Sequence, residues 1–410
     1  MRGRGVACAL GIIAAGVLVA CSDSPTAPAS LAAHGVELPA SQLPWSQVGQ
    51  GWMLATWSPA QGLGPGQAPP AVAPLTLYLL DPAGGRYAIT TFPVAPPVGP
   101  GDPGHTPSLA DWSGDGKRAL FEDYGADPKG PGTTTMTDVD LASGDKHSFS
   151  VGPGGVEGAY SRPNGAAIIV STFVSPARGW TLERADLSGK RQLLFPTDQL
   201  GTAGKYNGGY LESPDGSQLV LGTANGLVLM GNDGVVGRRL PLPGQLTDCR
   251  PVRWWTATVI LTRCDAGASS STSQLWRVPL AGGDPAAETA VNTGQQDSGF
   301  GGDLGDADAW QLPSGTFLQS QAGCGAGFLS RLTPNMHTTE VTVPGVTDSG
   351  HVSVIGATAD ALVLRAHMGC GAGISLLTYN PAANTSTVLL GPPVNGGGVQ
   401  NAILYASTRS

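Results

Sequence analysis

Four cysteines and a small set of carboxylates and phenols are the residues of this 410-residue chain whose types and spacing suit chemistry. Cys249 and Cys264 stand symmetrically about Thr256-Ala257. If those two residues form a turn, the cysteines face each other across a hairpin, where Cα separations of about 4.5–5.5 Å suit a disulfide. Cys324 and Cys370 each open a Cys-Gly-Ala-Gly segment, and the two segments are 46 residues apart. With the first pair assigned, Cys324 and Cys370 pair by elimination, provided their glycines let the segments lean together. Four such cysteines, an even set, suit an oxidising compartment. A zinc site is disfavoured, because no CxxC occurs and the six histidines (His34, His105, His147, His337, His351 and His367) are scattered.

Asp111 and Glu212, with Tyr160 and Tyr210 in matching segments, are the weak candidates for a binding site. Paired carboxylates around one cavity would serve a glycosidase or a lyase. Asp303, Asp306 and Asp308 in "GGDLGDADAW" offer oxygen ligands for Ca²⁺ but lack the spacing of a calcium loop, so a solvated turn is expected there. The chain has no G-x-S-x-G, no H-E-x-x-H, no P-loop and no dinucleotide-binding glycine pattern. No catalytic residue, cofactor or metal is therefore assigned.

The elements that must position these residues are short strands. Gly and Pro supply 95 of 410 residues while 41% are apolar, a balance that suits many strands joined by many turns. A β-rich run repeatedly breaks at a turn residue and resumes: Asp81, Asp140, Asp186, Asn232, Pro279, Thr333 and Asn380. Their spacings are 59, 46, 46, 47, 54 and 47 residues. Each is preceded by another strand–turn–strand unit, as in "LADWSGDGKRALFED" and "YLESPDGSQLVLG". About four antiparallel strands per repeat make the blade of a β-propeller. The expected fold is all-β, with about seven four-stranded blades and six or eight as alternatives. "VQNAILYASTRS" is expected to close the ring against "WSQVGQGWMLATW".

"DWSGDGKRALF" and "SPDGSQLVL" resemble the W-S-P-D-G-x-x-[IL]-x-[FY] repeat of TolB-like β-propellers, and three further repeats carry degraded versions. The resemblance covers most of residues 45 to 400 and implies the fold. It implies little about activity, because propellers serve as enzymes, receptors and scaffolds alike. Trp112, Trp255 and Trp310 stand just before the motif's turn, where packing between blades is expected.

The N-terminus carries a separate signal. Arg2 and Arg4 precede an apolar run too short to span a bilayer, which ends in Leu18-Val19-Ala20-Cys21. This resembles the lipobox of bacterial lipoproteins and implies cleavage before Cys21 and acylation of that residue. The expected organisation is a signal peptide at 1–20, a lipidated flexible tether at 21–43 and a propeller at 44–410. Cleavage would leave 20 basic against 30 acidic residues, a net charge of −10, with no basic patch for nucleic acid or anionic lipid. Contact with the membrane is expected through the lipid anchor instead. Both resemblances together imply a TolB-like lipoprotein on the extracytoplasmic face of a bacterial, specifically actinobacterial, cell membrane. Its expected role is a non-catalytic platform for a protein or cell-wall partner. The alternative is a carbohydrate or polymer binder, hydrolase or lyase working in the central channel.

Overall fold

In the computed structural model, the counted turn residues sit at hairpin turns. The structure describes residues 31–33, 35–38, 40–60, 72–97, 104–125, 132–153, 156–195, 200–201, 203–267, 272–291, 306–321, 327–347, 351–368 and 373–405. Asp81 shows why an acid suits the position: its Oδ1 accepts hydrogen bonds from the amides of Ala83 at 2.8 Å and Gly85 at 2.9 Å. Asp140 and Asp186 hold their turns the same way. In the motif hairpins, Asp115 and Asp215 accept from the hydroxyls of Ser113 and Ser213, and Gly116 and Gly216 take the positive φ (76° and 72°) that follows.

Among the described residues the strands form six hydrogen-bonded sheets, three of four strands, two of five and one of eight. The eight-stranded sheet is two antiparallel four-stranded units joined through the single pair Thr223–Cys249. Each five-stranded sheet is a four-stranded unit with a short strand added at its outer edge. Among the described residues the fold is thus a β-propeller of seven four-stranded blades, with no α-helix. The innermost strands of blades 2 to 7 are Ser108–Trp112, Val156–Tyr160, Tyr206–Glu212, Leu246–Thr256, Asp308–Leu312 and Ser353–Ala357. Blade 1 consists of Met53–Ser58, Leu75–Leu80 and Gly85–Phe92, completed from inside by Gly398–Leu404. Met53 pairs with Leu404 and Ser58 with Gly398, so the last strand closes the ring against the first, as the sequence led one to expect.

Seven apolar clusters hold the blades, one at each junction. Ile168 and Val170 face blade 2, while Ile169 between them faces blade 4. A sheet buried on both sides needs apolar side chains at successive positions. The second strands therefore read as unbroken runs such as Ala167-Ile168-Ile169-Val170 rather than as alternation. The closing junction joins Met53, Tyr78, Leu80 and Val399 of blade 1 to Val363, Leu376 and Leu390 of blade 7.

Two features differ from the reading of the sequence. Leu31–Ala33 and Val36–Leu38, placed in the tether, pair in parallel with the outer edges of blade 7 and blade 1. Glu37 adds an ion pair to Arg86 at 3.5 Å. An unpaired sheet edge offers amides and carbonyls to any extended segment, which local composition does not reveal. Leu31–Ala33 and Val36–Leu38 thus strap blade 7 to blade 1, and both strands precede residue 44. The second feature concerns Cys249 and Cys264, whose disulfide is present with a Cα separation of 4.0 Å. Its hairpin turns one residue later than Thr256-Ala257, because Thr256 pairs with Val259. Bulges between Pro251 and Arg253 and between Trp254 and Thr256 take up the difference and bring the cysteines opposite. Cys21, Cys324 and Cys370 lie outside the described residues.

Candidate functional site

In blades 2 to 7 each innermost strand ends at the turn of its blade's first hairpin, and these ends gather at one face. There Gly114 lies against Pro163, Gly216 lies against Arg162, and the Tyr405 hydroxyl donates to the Gly114 carbonyl. The central channel opens at this face through a cavity of about 470 Å³ lined by Arg253, Trp254, Trp255, Trp310, Ile355 and Tyr405, among others. Beneath it lies a second cavity of about 300 Å³, which shares Arg253, Trp254 and Tyr405 and adds Trp112, Arg162 and Glu212. A third, of about 280 Å³, continues past Arg162 and Glu212 to Tyr160 and Tyr210. The shared linings make the three neighbours along the inner strands.

Arg162 lines two of these cavities, and the sequence reading missed it. Its Nη2 donates to Asp111 Oδ1 at 3.0 Å and its Nη1 to the Trp112 carbonyl at 2.8 Å, both on blade 2. Its own amide donates to Glu212 Oε2 on blade 4 at 2.7 Å. Asp111 also accepts from the Tyr160 amide at 2.8 Å. One residue of blade 3 thus ties both candidate carboxylates. The spacing carried the signal: Asp111, Arg162 and Glu212 are 51 and 50 residues apart, the repeat period, with alternating charge.

The candidate tyrosines serve packing. Tyr160 is 1% exposed and donates its hydroxyl to Asp138, while the Tyr210 hydroxyl donates to the Ile169 carbonyl at 3.1 Å. Burial raises both phenols above their ordinary range, so neither is an acid at neutral pH. Burial also raises Asp111, against the opposing pull of Arg162. Glu212 is pushed up to about 7, chiefly by burial and against its hydrogen bond from the Arg162 amide. Around the ring, Arg253 stacks on Trp310 with its Cζ 4.5 Å from the ring centroid, and its Nε lies 3.3 Å from Asp308. Burial pushes Asp308 up to about 6. Asp306 turns instead to Arg263, at 2.9 Å, so the two acids belong to separate ion pairs. Asp303 lies outside the described residues.

Trp112 and Trp310 are 3% and 4% exposed within the junctions of blades 1–2 and 6–7. Trp255 is less buried: it packs against the blade 5–6 junction and also lines the channel mouth. Trp254, unassigned in the sequence, donates its Nε1 to the Glu212 carbonyl at 2.8 Å and lines both upper cavities. Four buried polar atoms here have no hydrogen-bond partner: Glu212 Oε1, Arg253 Nε, Trp112 Nε1 and Trp310 Nε1. The site therefore combines charges already engaged with one another, partly buried tryptophan edges and a few polar atoms shut away from solvent.

No family model matches the chain, and no curated protein sequence does. Many solved structures resemble it in shape. A prolyl endopeptidase is 13% identical with a TM-score of 0.48, covering 85% of this chain and 52% of its own, so the chain spans about half that enzyme's length. A protein assigned to TolB from Agrobacterium tumefaciens is 13% identical with a TM-score of 0.37, covering 88% and 93%. A xyloglucanase from Xanthomonas campestris is 11% identical with a TM-score of 0.48, covering 83% and 55%. None of these likenesses carries an argument about activity.

Proposed function

We propose that this chain is a lipid-anchored, extracytoplasmic binding protein of the cell envelope whose propeller presents its channel mouth to a protein or cell-wall partner without catalysis. The observation that carries the reading is Arg162. A glycosidase or lyase needs its two carboxylates free to face one bond. Asp111 and Glu212 are instead both bound by Arg162, on blades either side of it. With its charges consumed in joining blades, the channel leaves aromatic and backbone groups at the mouth, the anatomy of a recognition surface. Cys21, preceded by Leu18-Val19-Ala20, supplies the anchor in this reading. In this reading the strap begins at Leu31, ten residues after the anchored Cys21.

The test is photo-crosslinking of the full chain in its own membranes. A crosslinking residue at Trp255 should give a discrete adduct, and one at Ser188 on the outer hairpin of blade 3 should not. Equal labelling from both positions would remove the channel mouth as the binding face. In parallel, Cys21→Ala should abolish palmitate incorporation and membrane retention; label kept by that variant would place the anchor elsewhere.

A further inference from the structure

We infer that the strap is a releasable latch on the seam of the ring. Leu31–Ala33 and Val36–Leu38 leave blades 7 and 1 together while the propeller stays folded, and their leaving uncovers two sheet edges that they otherwise shield. This is independent of the reading of the channel mouth.

Position is the first ground. The ring closes where the last strand, Gly398–Leu404, pairs with Met53–Ser58 against blade 7. The strap joins the same two blades from outside, pairing with Ser386–Val388 on blade 7 and Gly85–Tyr87 on blade 1. Gly35, at φ 128°, is pressed against both. A Cβ there would lie 2.8 Å from the Leu389 carbonyl oxygen of blade 7 and 2.5 Å from Arg86 Nη1 of blade 1. No L side chain fits, so the crossing is shaped to the seam.

The weakness of the hold is the second. Each ladder is three residues long. Val36 is 67% exposed, and the turn Ala40–Gln42 that follows buries no residue. Among the described side chains of the strap, Leu38 alone packs on an apolar cluster. Met53–Ser58 and Leu75–Leu80, by contrast, are paired on both sides and buried at most positions. A segment with so few buried contacts opens at a fraction of the cost of unfolding the ring.

Arg86 is the third, and it sets the balance. Its side chain is 8% exposed beside the strap, and its Nε and Nη1 make no hydrogen bond. Its ion-pair partner is Glu37 of the strap, 3.5 Å away and itself 54% exposed. Covering a guanidinium removes hydration that one half-exposed carboxylate returns only in part. Closing therefore gains two short ladders and loses water around Arg86, so a change of charge at residue 37 tips it. The open edges then present Arg86 beside unpaired amides and carbonyls, which suits an extended segment with an acid in the place of Glu37.

The experiment is hydrogen exchange by mass spectrometry on the full chain in detergent, with urea unfolding beside it. Both strap strands and the edges they cover, 85–87 and 386–388, should share one rate, about 100-fold or more above that of Leu75–Leu80 and Leu362–His367. Glu37→Arg and Gly35→Val should each raise the shared rate about fivefold or more and leave the urea midpoint of the ring unchanged. Glu37→Arg with Arg86→Glu should return the rate toward wild type; should that pair fail to fold, the single variants decide. A peptide of the sequence Leu31 to Leu38 should bind the Glu37→Arg chain and not the wild type, and the same peptide carrying Glu37→Arg should bind neither. The inference is overturned if the strap exchanges at the rate of the ring or its two strands at separate rates. It is equally overturned if either single variant lowers the urea midpoint, or if the peptide binds both chains alike or neither.

Discussion

Replacing Glu212 by Gln should make the protein more stable at neutral pH, by an amount that depends on pH in a specified way. In the folded chain the Glu212 carboxyl titrates at about 7, against its ordinary 4.5, because burial penalises the charged form more than Arg162 and Arg184 favour it. Below pH 4.5 the group is protonated in folded and unfolded chains alike and costs nothing. Between the two values the folded state holds a proton that the unfolded state has released, so stability falls as pH rises. Above about 7 the full cost is present, roughly 3 kcal/mol. Glutamine keeps a carbonyl for the Arg162 amide and does not titrate. Urea unfolding of wild type and Glu212→Gln, run side by side from pH 4 to 8, cancels every other ionisation common to both. The variant's advantage should grow by about 3 kcal/mol across that window, with any constant offset irrelevant. Parallel curves, or a gap that narrows as pH rises, would refute the placement of Glu212 as a buried acid with a raised pKa.

Arg162→Met should cost about 3–5 kcal/mol at pH 7 by stranding Asp111, and the loss should shrink in acid, where Asp111 takes a proton; urea midpoints at pH 4 and 7 check both. Cys249→Ser with Cys264→Ser opens a link across 15 residues and should lower stability by about 3 kcal/mol, with non-reducing peptide mapping as the prior check on that pairing and on Cys324–Cys370. A Cβ on Gly216, at φ 72°, would sit 2.0 Å from the Arg162 carbonyl, whereas one on Gly179, at φ 74°, meets nothing within 4 Å. Gly216→Ala should therefore cost about 3 kcal/mol and Gly179→Ala about 1, as read by thermal unfolding.

The propeller was legible because each blade repeats one local device. Asp81, Asp140 and Asp186 hold their turns through their own side chains, within five residues of chain, and the intervals between them count the blades. The strap was not legible. Leu31–Ala33 and Val36–Leu38 are short strands whose partners, Ser386–Val388 and Gly85–Tyr87, are set by which edges the ring leaves unpaired. At the site, Asp111 and Glu212 were found as polar residues of inner strands, yet their relation was hidden. Arg162 sits in "SRPNG", a degraded copy of the turn motif, and its role depends on contacts made two blades apart. Trp254 escaped notice for a similar reason, since the bulge beside it decides which neighbouring tryptophan reaches Glu212.

The pairing of Met53 with Leu404 also orders events in time. A chain synthesised from its N-terminus makes three strands of blade 1 first, but their fourth partner comes some 350 residues later. Until Gly398–Leu404 arrives, Met53, Ala55 and Tyr78 on one open end and Val363 and Leu376 on the other stay uncovered. Joining the ends of so long a chain carries an entropic cost of about 5 kcal/mol, offset only when blades 2 to 7 have already curved the ends toward each other. The nearly finished ring is thus the aggregation-prone species, with two complementary apolar faces that a second unfinished copy can fill as well as its own last strand can. Blade 1 is the first to be made and the last to be completed.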